Sequence, residues 1–404
     1  MTRNAEIVIL GNGGAACHAA MALRQEGYAG ALRMISDCNE AAFNPMLGPY
    51  YVKGRIGWEA CFPFGRDFYD RYDIQCHFGS PVVSLDAVDR TVRCEDGATF
   101  RYHRCLTATG AAPSIPPVPG LSESSRALAI RTSASILKLK DAMAGAGNLV
   151  VLGASLVGLK LAEIMSARRA QVLLVDVTDQ VMPRGAHPIA AAYLQQYLEL
   201  HGVSVRLGCS LEGLEDEGDR VCCFFPESIT EKADFIAVCT GIRPNIGFID
   251  RSQVATDAAI LIDRHSRTSA QGLYAAGDCA QGFNPLSHTR EWLGTWPNAC
   301  YQGRAAGRHM AGKPCAYPGN PPQHISPFFD WTYVQIGDAF RKGEGIHVET
   351  SGNPFNGAFR LLVYQGDLLI GANLINDTGA IGEIKRSILT HGAGQYERTY
   401  GNPA

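Results

Sequence analysis

Apolar residues along this chain repeat one arrangement twice. Ile7, Val8, Ile9 and Leu10 form a near-continuous apolar run, the pattern of a parallel strand covered on both faces. Gly11-Asn-Gly13-Gly14-Ala15-Ala16 follows at once, and a helix is expected through about Arg24, with its small residues against the sheet. A second strand, 31–35, ends at Ser36-Asp37. The same succession returns at 149–176. Leu149–Leu152 is the strand, Gly153-Ala-Ser155-Leu156-Val157-Gly158 the turn, and a helix carries Leu159, Leu161 and Ala162. The strand 171–175 then ends in Asp176. Between the repeats lie an expected long loop (38–66), two strand candidates (82–92 and 99–102) and a stiff proline-rich connection, Pro113 to Pro119. Downstream, a short strand Leu273-Tyr-Ala-Ala delivers Gly277-Asp278, and a helix to about Met310 has Pro297 in its first turn. From Pro321 the pattern changes to short strands (331–336, 359–364, 368–375) and a final helix, 381–390.

Both repeats fit a glycine-rich turn between a strand and a helix. The glycines permit a tight turn, and the helix N-terminus faces a pyrophosphate. Asp176 stands where a carboxylate grips the two adenosine ribose hydroxyls, and with no Arg or Lys close behind it the expected ligand is NAD(H) rather than NADP(H). In the first repeat Ser36 falls at that place, with Asp37 one residue later. The ends of the repeats also echo one another: Ala108-Thr109-Gly110-Ala-Ala-Pro113 and Cys239-Thr240-Gly241-Ile-Arg243-Pro244. The expected fold is α/β, with two Rossmann-like dinucleotide-binding domains and a small α+β C-terminal domain. The expected boundaries are 1–113 with 247–320, then 114–246, then 321–404.

Composition narrows the class. The chain is 46% hydrophobic and 19% charged, which suits a globular protein with an ample core. A net charge of −3 argues against general nucleic-acid binding. No apolar run approaches the roughly 20 residues of a membrane span. The first strand starts so early that no signal peptide is expected before it, so a cytoplasmic location is expected. The 13 cysteines contain no C-x-x-C or C-x-x-x-x-C spacing, and the histidines no H-x-x-x-H spacing, so neither a local redox dithiol nor a metal site is expected.

Taken in order, G-N-G-G-A-A, T-A-T-G-A, G-A-S-L-V-G-L-K, T-G-I-R-P-N, L-Y-A-A-G-D and W-P-N-A-x-x-Q-G-R resemble the FAD-dependent pyridine nucleotide oxidoreductases. The nearest types are the ferredoxin and rubredoxin reductases, the NADH oxidases and the flavoprotein part of nitrite reductases. The resemblance implies that Gly11, Gly13, Gly14, Ala15 and Ala16 line the FAD pyrophosphate, with Ser36 and Asp37 at the ribose and Pro45 in the site. It implies that Val82 touches adenine through its backbone, that Ala108, Thr109 and Gly110 lie beside FAD, and that Asp278 binds the ribityl chain. Trp296, Pro297 and Ala299 would sit at the flavin pyrimidine ring. Gly153, Ser155, Leu156, Val157, Gly158 and Asp176 would bind NADH, with Gly241 near its nicotinamide end.

The departures shape the functional expectation. Where the oxidase branch carries a redox cysteine this chain has Met46, and where a histidine stands in the first glycine turn it has Ala15. Thiol chemistry is therefore not expected. The ferredoxin reductases pair a lysine with a glutamate near the flavin; the corresponding places here hold Pro49 and Lys160, so Lys160 is the expected catalytic cation. The expected activity is an FAD-dependent NADH oxidoreductase that passes electrons to a small iron–sulfur or rubredoxin-like carrier. The alternative is a flavoprotein subunit of a multi-subunit dehydrogenase, or an NADH oxidase with another acceptor. A monomer or homodimer is expected.

Overall fold

The computed structural model describes residues 6–400, and the side chains of 6–390. The chain divides into two compact units, Met1–Ala112 with Arg243–Asn320, and Pro113–Ile242 with Pro321–Ala404.

The first unit is built on a five-stranded parallel sheet. Its strand order is Leu273–Ala275, Arg104–Thr107, Ile7–Leu10, Leu32–Ser36, Gln75–Phe78. Ile7–Leu10 is buried at all four positions, as a continuous apolar run requires of a central strand. The helix Gly14–Gln25 lies against the helix Trp296–Met310, and the alanines of the first are fully packed. Two glycines of the second helix make this contact possible. A methyl group on Gly303 would stand 2.1 Å from the Ala15 carbonyl oxygen, and one on Gly307 2.4 Å from that of Ala19. A three-stranded antiparallel sheet, Val82–Asp86, Thr91–Cys94 and Thr99–Arg101, completes the region where two strands were expected.

The expected long loop at 38–66 is a correction. It holds short helical turns at Pro45–Leu47, Gly48–Val52 and Trp58–Cys61. Phe43, Tyr51, Trp58 and Phe62 cluster there with ring centroids 4.8–5.9 Å apart. Aromatic contacts between turns carry no sequence period, which is why the pattern of apolar positions gave no element here.

The second unit repeats the plan. Its parallel sheet runs Val203–Arg206, Gln171–Val175, Asn148–Leu152, Phe235–Val238, Ala127–Ala129. A three-stranded antiparallel sheet, Gly213–Glu217, Arg220–Phe225 and Ile229–Ala233, again accompanies it. Helix Leu156–Ser166 packs on the strands either side of it in the chain, and Pro188–Leu200 on Val203–Arg206, the strand that follows it.

The C-terminal segment, expected as a third domain, falls in this second unit. It forms a five-stranded antiparallel sheet ordered Gln323–Phe328, Trp331–Gly337, Leu368–Ile375, Phe359–Gln365, Ile346–Gly352, with the helix Ile381–Tyr400 packed against it. The first and last of these strands went unseen in the sequence, because Pro327 and a mostly exposed run, Ile346–Gly352, mask their alternation. Buried polar contacts join the sheet to the rest of the unit. Tyr333 donates to the Gly185 carbonyl at 2.6 Å, Asn373 accepts from the His187 backbone N–H at 2.7 Å, and Tyr197 stacks on Trp331 at 3.7 Å.

Candidate functional site

The two glycine turns are built alike, bond for bond. Gly11 N–H donates to the Ile35 carbonyl and Gly153 N–H to that of Val175, each at 2.7 Å. Ala108 and Cys239 close onto Leu10 and Leu152 in the same way, again at 2.7 Å. Gly11 has φ +105° and Gly153 φ +109°, a backbone that disfavours any side chain. A Cβ would in any case stand 2.2 Å from the Ala108 oxygen and 2.5 Å from the Cys239 oxygen respectively.

The helix starts that follow carry the decisive feature. Neither Gly13 nor Ser155 caps its helix with a side chain, and Ser155 turns its hydroxyl to the Cys239 carbonyl instead, at 2.9 Å. Three other helices of similar length are capped by side chains: Thr132, His187 and Thr295 accept from backbone N–H groups. The first turn of a helix has N–H groups with no partner in the helix, and a side-chain cap normally contributes about 1 kcal/mol by taking one of them. Leaving both glycine turns uncapped, with no acidic residue in either first turn, presents free donors and the positive helix end to an anion. Open space lies over Gly13, where an added Cβ would meet nothing within 4 Å. These turns therefore fit the pyrophosphates of two dinucleotides.

Asp176 ends its strand beside the second turn. Its carboxylate accepts from Ala154 N–H at 2.6 Å and from the backbone N–H and hydroxyl of Thr178, each at 2.8 Å. Two oxygens offer about four lone pairs, so capacity remains for a ribose hydroxyl. Val157 and Val177 flank the turn with exposed apolar side chains. In the first unit Ser36 is buried and bonded to the Cys38 N–H at 3.3 Å, while Asp37 is exposed.

Other expected residues gather in the first unit. Thr109 and Asn245 clasp one another: Thr109 Oγ1 donates to the Asn245 carbonyl at 2.7 Å, and Asn245 Nδ2 to that of Thr109 at 3.1 Å. Gly110, like Gly241 in the second unit, adopts positive φ with open space where a Cβ would be. Gly277 N–H donates to buried Gln302, and Asp278 follows, itself buried. Trp292 Nε1 donates to the Asp278 carbonyl at 2.7 Å. Trp296 opens its helix, with Pro297 in the first turn and Ala299 buried beside Gly277. Pro45 starts a helical turn and Val82 starts a strand, half-buried.

A buried relay missed by sequence reasoning holds the first turn. Tyr69 donates to Asn12 Oδ1 at 2.7 Å and accepts from Ala42 N–H at 3.0 Å, and Asn12 donates to the Glu40 carbonyl at 2.8 Å. Asn12 sits inside the glycine fingerprint, where a variable position gives no signal of its own.

Lys160 is largely shielded from solvent. It is 7% exposed and pairs at 3.0 Å with Glu163, which is fully buried and also accepts from Phe329 N–H at 2.8 Å. The ammonium lies 4.6 Å from the Phe328 ring centroid, so the chain supplies both a counter-ion and an aromatic face.

Most of the cysteines are buried. Burial raises the Cys300 thiol to about 11 and those of Cys223 and Cys239 to about 12, and it raises Cys17, Cys61, Cys94, Cys105 and Cys279 as well. Met46 is exposed and Ala15 is buried where thiol- and histidine-bearing relatives would differ. One side-chain group does bring metal-ligating types together: donor atoms of His77, Cys94 and Asp96 lie within 4.8 Å of one another. The 2.9 Å hydrogen bond between His77 and Asp96 accounts for that closeness.

Comparison with known proteins agrees with this construction. The NADH-dependent phenylglyoxylate dehydrogenase subunit epsilon of Aromatoleum evansii is 29% identical over 392 residues, which cover 95% of this chain and 92% of that one. A rubredoxin-NAD(+) reductase of Pseudomonas putida is 27% identical, with 92% and 95% covered. The water-forming NADH oxidase of Lactobacillus brevis, solved with NADH, shares the fold at a TM-score of 0.90 and 21% identity, over 96% of this chain and 91% of that one. The pyridine nucleotide-disulphide oxidoreductase family matches residues 5–303, well over half of the chain, so the twice-built, uncapped glycine turn is that of a member of this family.

Proposed function

We propose that this chain is an FAD-dependent NADH oxidoreductase that delivers electrons to a small electron-transfer protein. One observation carries the proposal: two glycine turns of matching hydrogen bonding, each leading into a helix whose N-terminus no side chain caps. A permanent and an exchanging dinucleotide account for both. Bound FAD supplies two-electron acceptance from NADH and one-electron release to a carrier. The chain's own residues bind and orient. Gly11, Gly13, Gly14, Ala15 and Ala16 cradle the FAD pyrophosphate, Asp278 holds its ribityl hydroxyls, and the helix starting at Trp296 directs its positive end at the flavin ring. Ser36 and Asp37 serve its ribose, and Pro45, Val82, Ala108, Thr109, Gly110, Pro297 and Ala299 complete the wall. Gly153, Ser155, Leu156, Val157, Gly158, Asp176 and Gly241 serve NADH. The rubredoxin-NAD(+) reductase relative supports a small iron–sulfur or rubredoxin-like acceptor. Met46 at the place of the redox cysteine, and the absence of a C-x-x-x-x-C pair, support a reaction without a thiol step.

Anaerobic stopped-flow mixing tests this. The flavin band should bleach rapidly with NADH and far more slowly with NADPH. Equal bleaching by both would remove Asp176 as the ribose clamp, and no bleaching by either would overturn the proposal.

A second role has a specific observation behind it: the Aromatoleum evansii relative is named as a subunit of a dehydrogenase. In that role electrons would pass between this chain and partner subunits. Reoxidation that stays slow with every small carrier, but speeds up with co-purified proteins, would favour it.

A further inference from the structure

The first unit contains a cavity of about 550 Å³ that the dinucleotide turns do not use. Its walls carry Arg90, His103, Arg104, Arg267 and Arg290 against a single acid, Asp263. Its position follows from the sheet. Arg104 and Leu273 begin their parallel strands at the cavity, whereas Ala108–Gly110 and Gly277-Asp278 follow the opposite ends of those strands. Strands of three or four residues, at roughly 3.3 Å per residue, put about 10–13 Å of sheet between the cavity and the dinucleotide turn.

The cations are unevenly satisfied. Asp263 is committed to Arg267, Nε to Oδ2 at 2.6 Å. Arg104 donates to the Met310 backbone carbonyl and has no acid partner among the described residues. Arg90 and Arg290 make no side-chain hydrogen bond or ion pair among the described residues. Arg90 is also half-buried, with its guanidinium packed over Gly272. A half-buried guanidinium gives up hydration without gaining an acceptor, which an anion would restore, and its planar fork suits phosphate or carboxylate oxygens. Burial lowers the His103 pKa, and the neighbouring charges of Arg104 and Arg90 lower it further. Ile262 and Leu273 add an apolar floor, and the volume lies within the range of small-molecule sites.

We propose that this cavity binds a small polyanion carrying at least two phosphate or carboxylate groups, held by Arg90, Arg104 and Arg290. The concave shape favours a metabolite over a flat protein surface.

Isothermal titration calorimetry on the FAD-loaded protein tests this, with saturating NAD+ present to block the second glycine turn. Pyrophosphate and citrate are the two probes, with sodium chloride of matched ionic strength as the blank. One-to-one binding of either probe is expected, and the stronger of the two identifies the phosphate or the carboxylate class. The double variant Arg90→Ala/Arg290→Ala should weaken that binding at least tenfold while keeping its flavin content and its rate of reduction by NADH. Absence of heat beyond the salt blank would overturn the proposal. So would binding that survives the double variant, or that is seen only when NAD+ is left out. A double variant that loses its flavin is replaced by Arg90→Gln alone, read in the same titration.

Discussion

Asp176 and Lys160 show how differently two charged residues can be written into a sequence. Asp176 was legible because strand, turn, helix and strand fix its place by counting. Its bond from Ala154 N–H ties the turn to the acid, so it shapes the loop at the place proposed for the ribose contact. Asp176→Ala should raise the KM for NADH by about ten- to a hundredfold, the scale of a lost charge-assisted hydrogen bond, and leave the flavin content unchanged. Steady-state kinetics beside the absorbance spectrum checks both. Lys160 was legible only as a cation at a family position. Glu163, three residues on, stands at helical pairing distance, but the burial of the pair depends on packing around Phe328 and Phe329 that no local pattern encodes. Removing one member of a buried pair typically costs about 3–5 kcal/mol, less where the remaining acid keeps other bonds, as Glu163 does. Lys160→Met should therefore lower stability by about 3 kcal/mol in urea unfolding, and Lys160→Met/Glu163→Gln should recover a good part of that loss. If Lys160 also favours the reduced flavin, both variants should be slower in hydride transfer despite the recovered stability. An unchanged rate constant in the double variant would leave the residue a structural one.

Among the elements, the two helices joined through Gly303 and Gly307 set the first site. Their closeness places the start at Trp296 beside the first glycine turn, and Gly14 touches Trp296 and Cys300 at what would be a Cβ distance of 3.1 Å. Gly303→Ala would press a methyl group onto the Ala15 carbonyl. A loss of about 1–3 kcal/mol is expected, the usual cost of overpacking, together with weaker retention of FAD. Thermal melts with and without added FAD would reveal both. The strands and helices of the repeats were readable because their periodicity and turn residues agree. The segment 38–66 and the strands at Gln323–Phe328 and Ile346–Gly352 were not, since aromatic clustering and cross-strand partners hold them rather than any period along the chain.

On the scale of the whole molecule, histidine sets the response to acid. His18, His103, His187, His201, His309 and His324 all have pKa values lowered from 6.5, with burial the largest cause in each. A group held below its unfolded pKa binds fewer protons when folded, so the unfolded state gains as protons become available. Stability should be complete above about pH 6.5 and decline as the pH falls through and below that value. Melting temperatures between pH 7.5 and 5.5 would show the decline, and His324→Phe should flatten it. The division of the chain also bears on how the protein is made. Each unit is discontinuous: the first is interrupted by residues 113–242 and the second by 243–320. A ribosome that has released the first 270 residues has supplied the whole first glycine turn, yet neither the outer strand Leu273–Ala275 nor Asp278. The second unit still lacks its five-stranded antiparallel sheet at that moment. Translation therefore completes the first unit at residue 320, before the second has gained its five-stranded sheet. Premature stops before Asp278 should yield chains that retain no flavin, whereas stops after residue 320 leave every proposed flavin-binding residue in place.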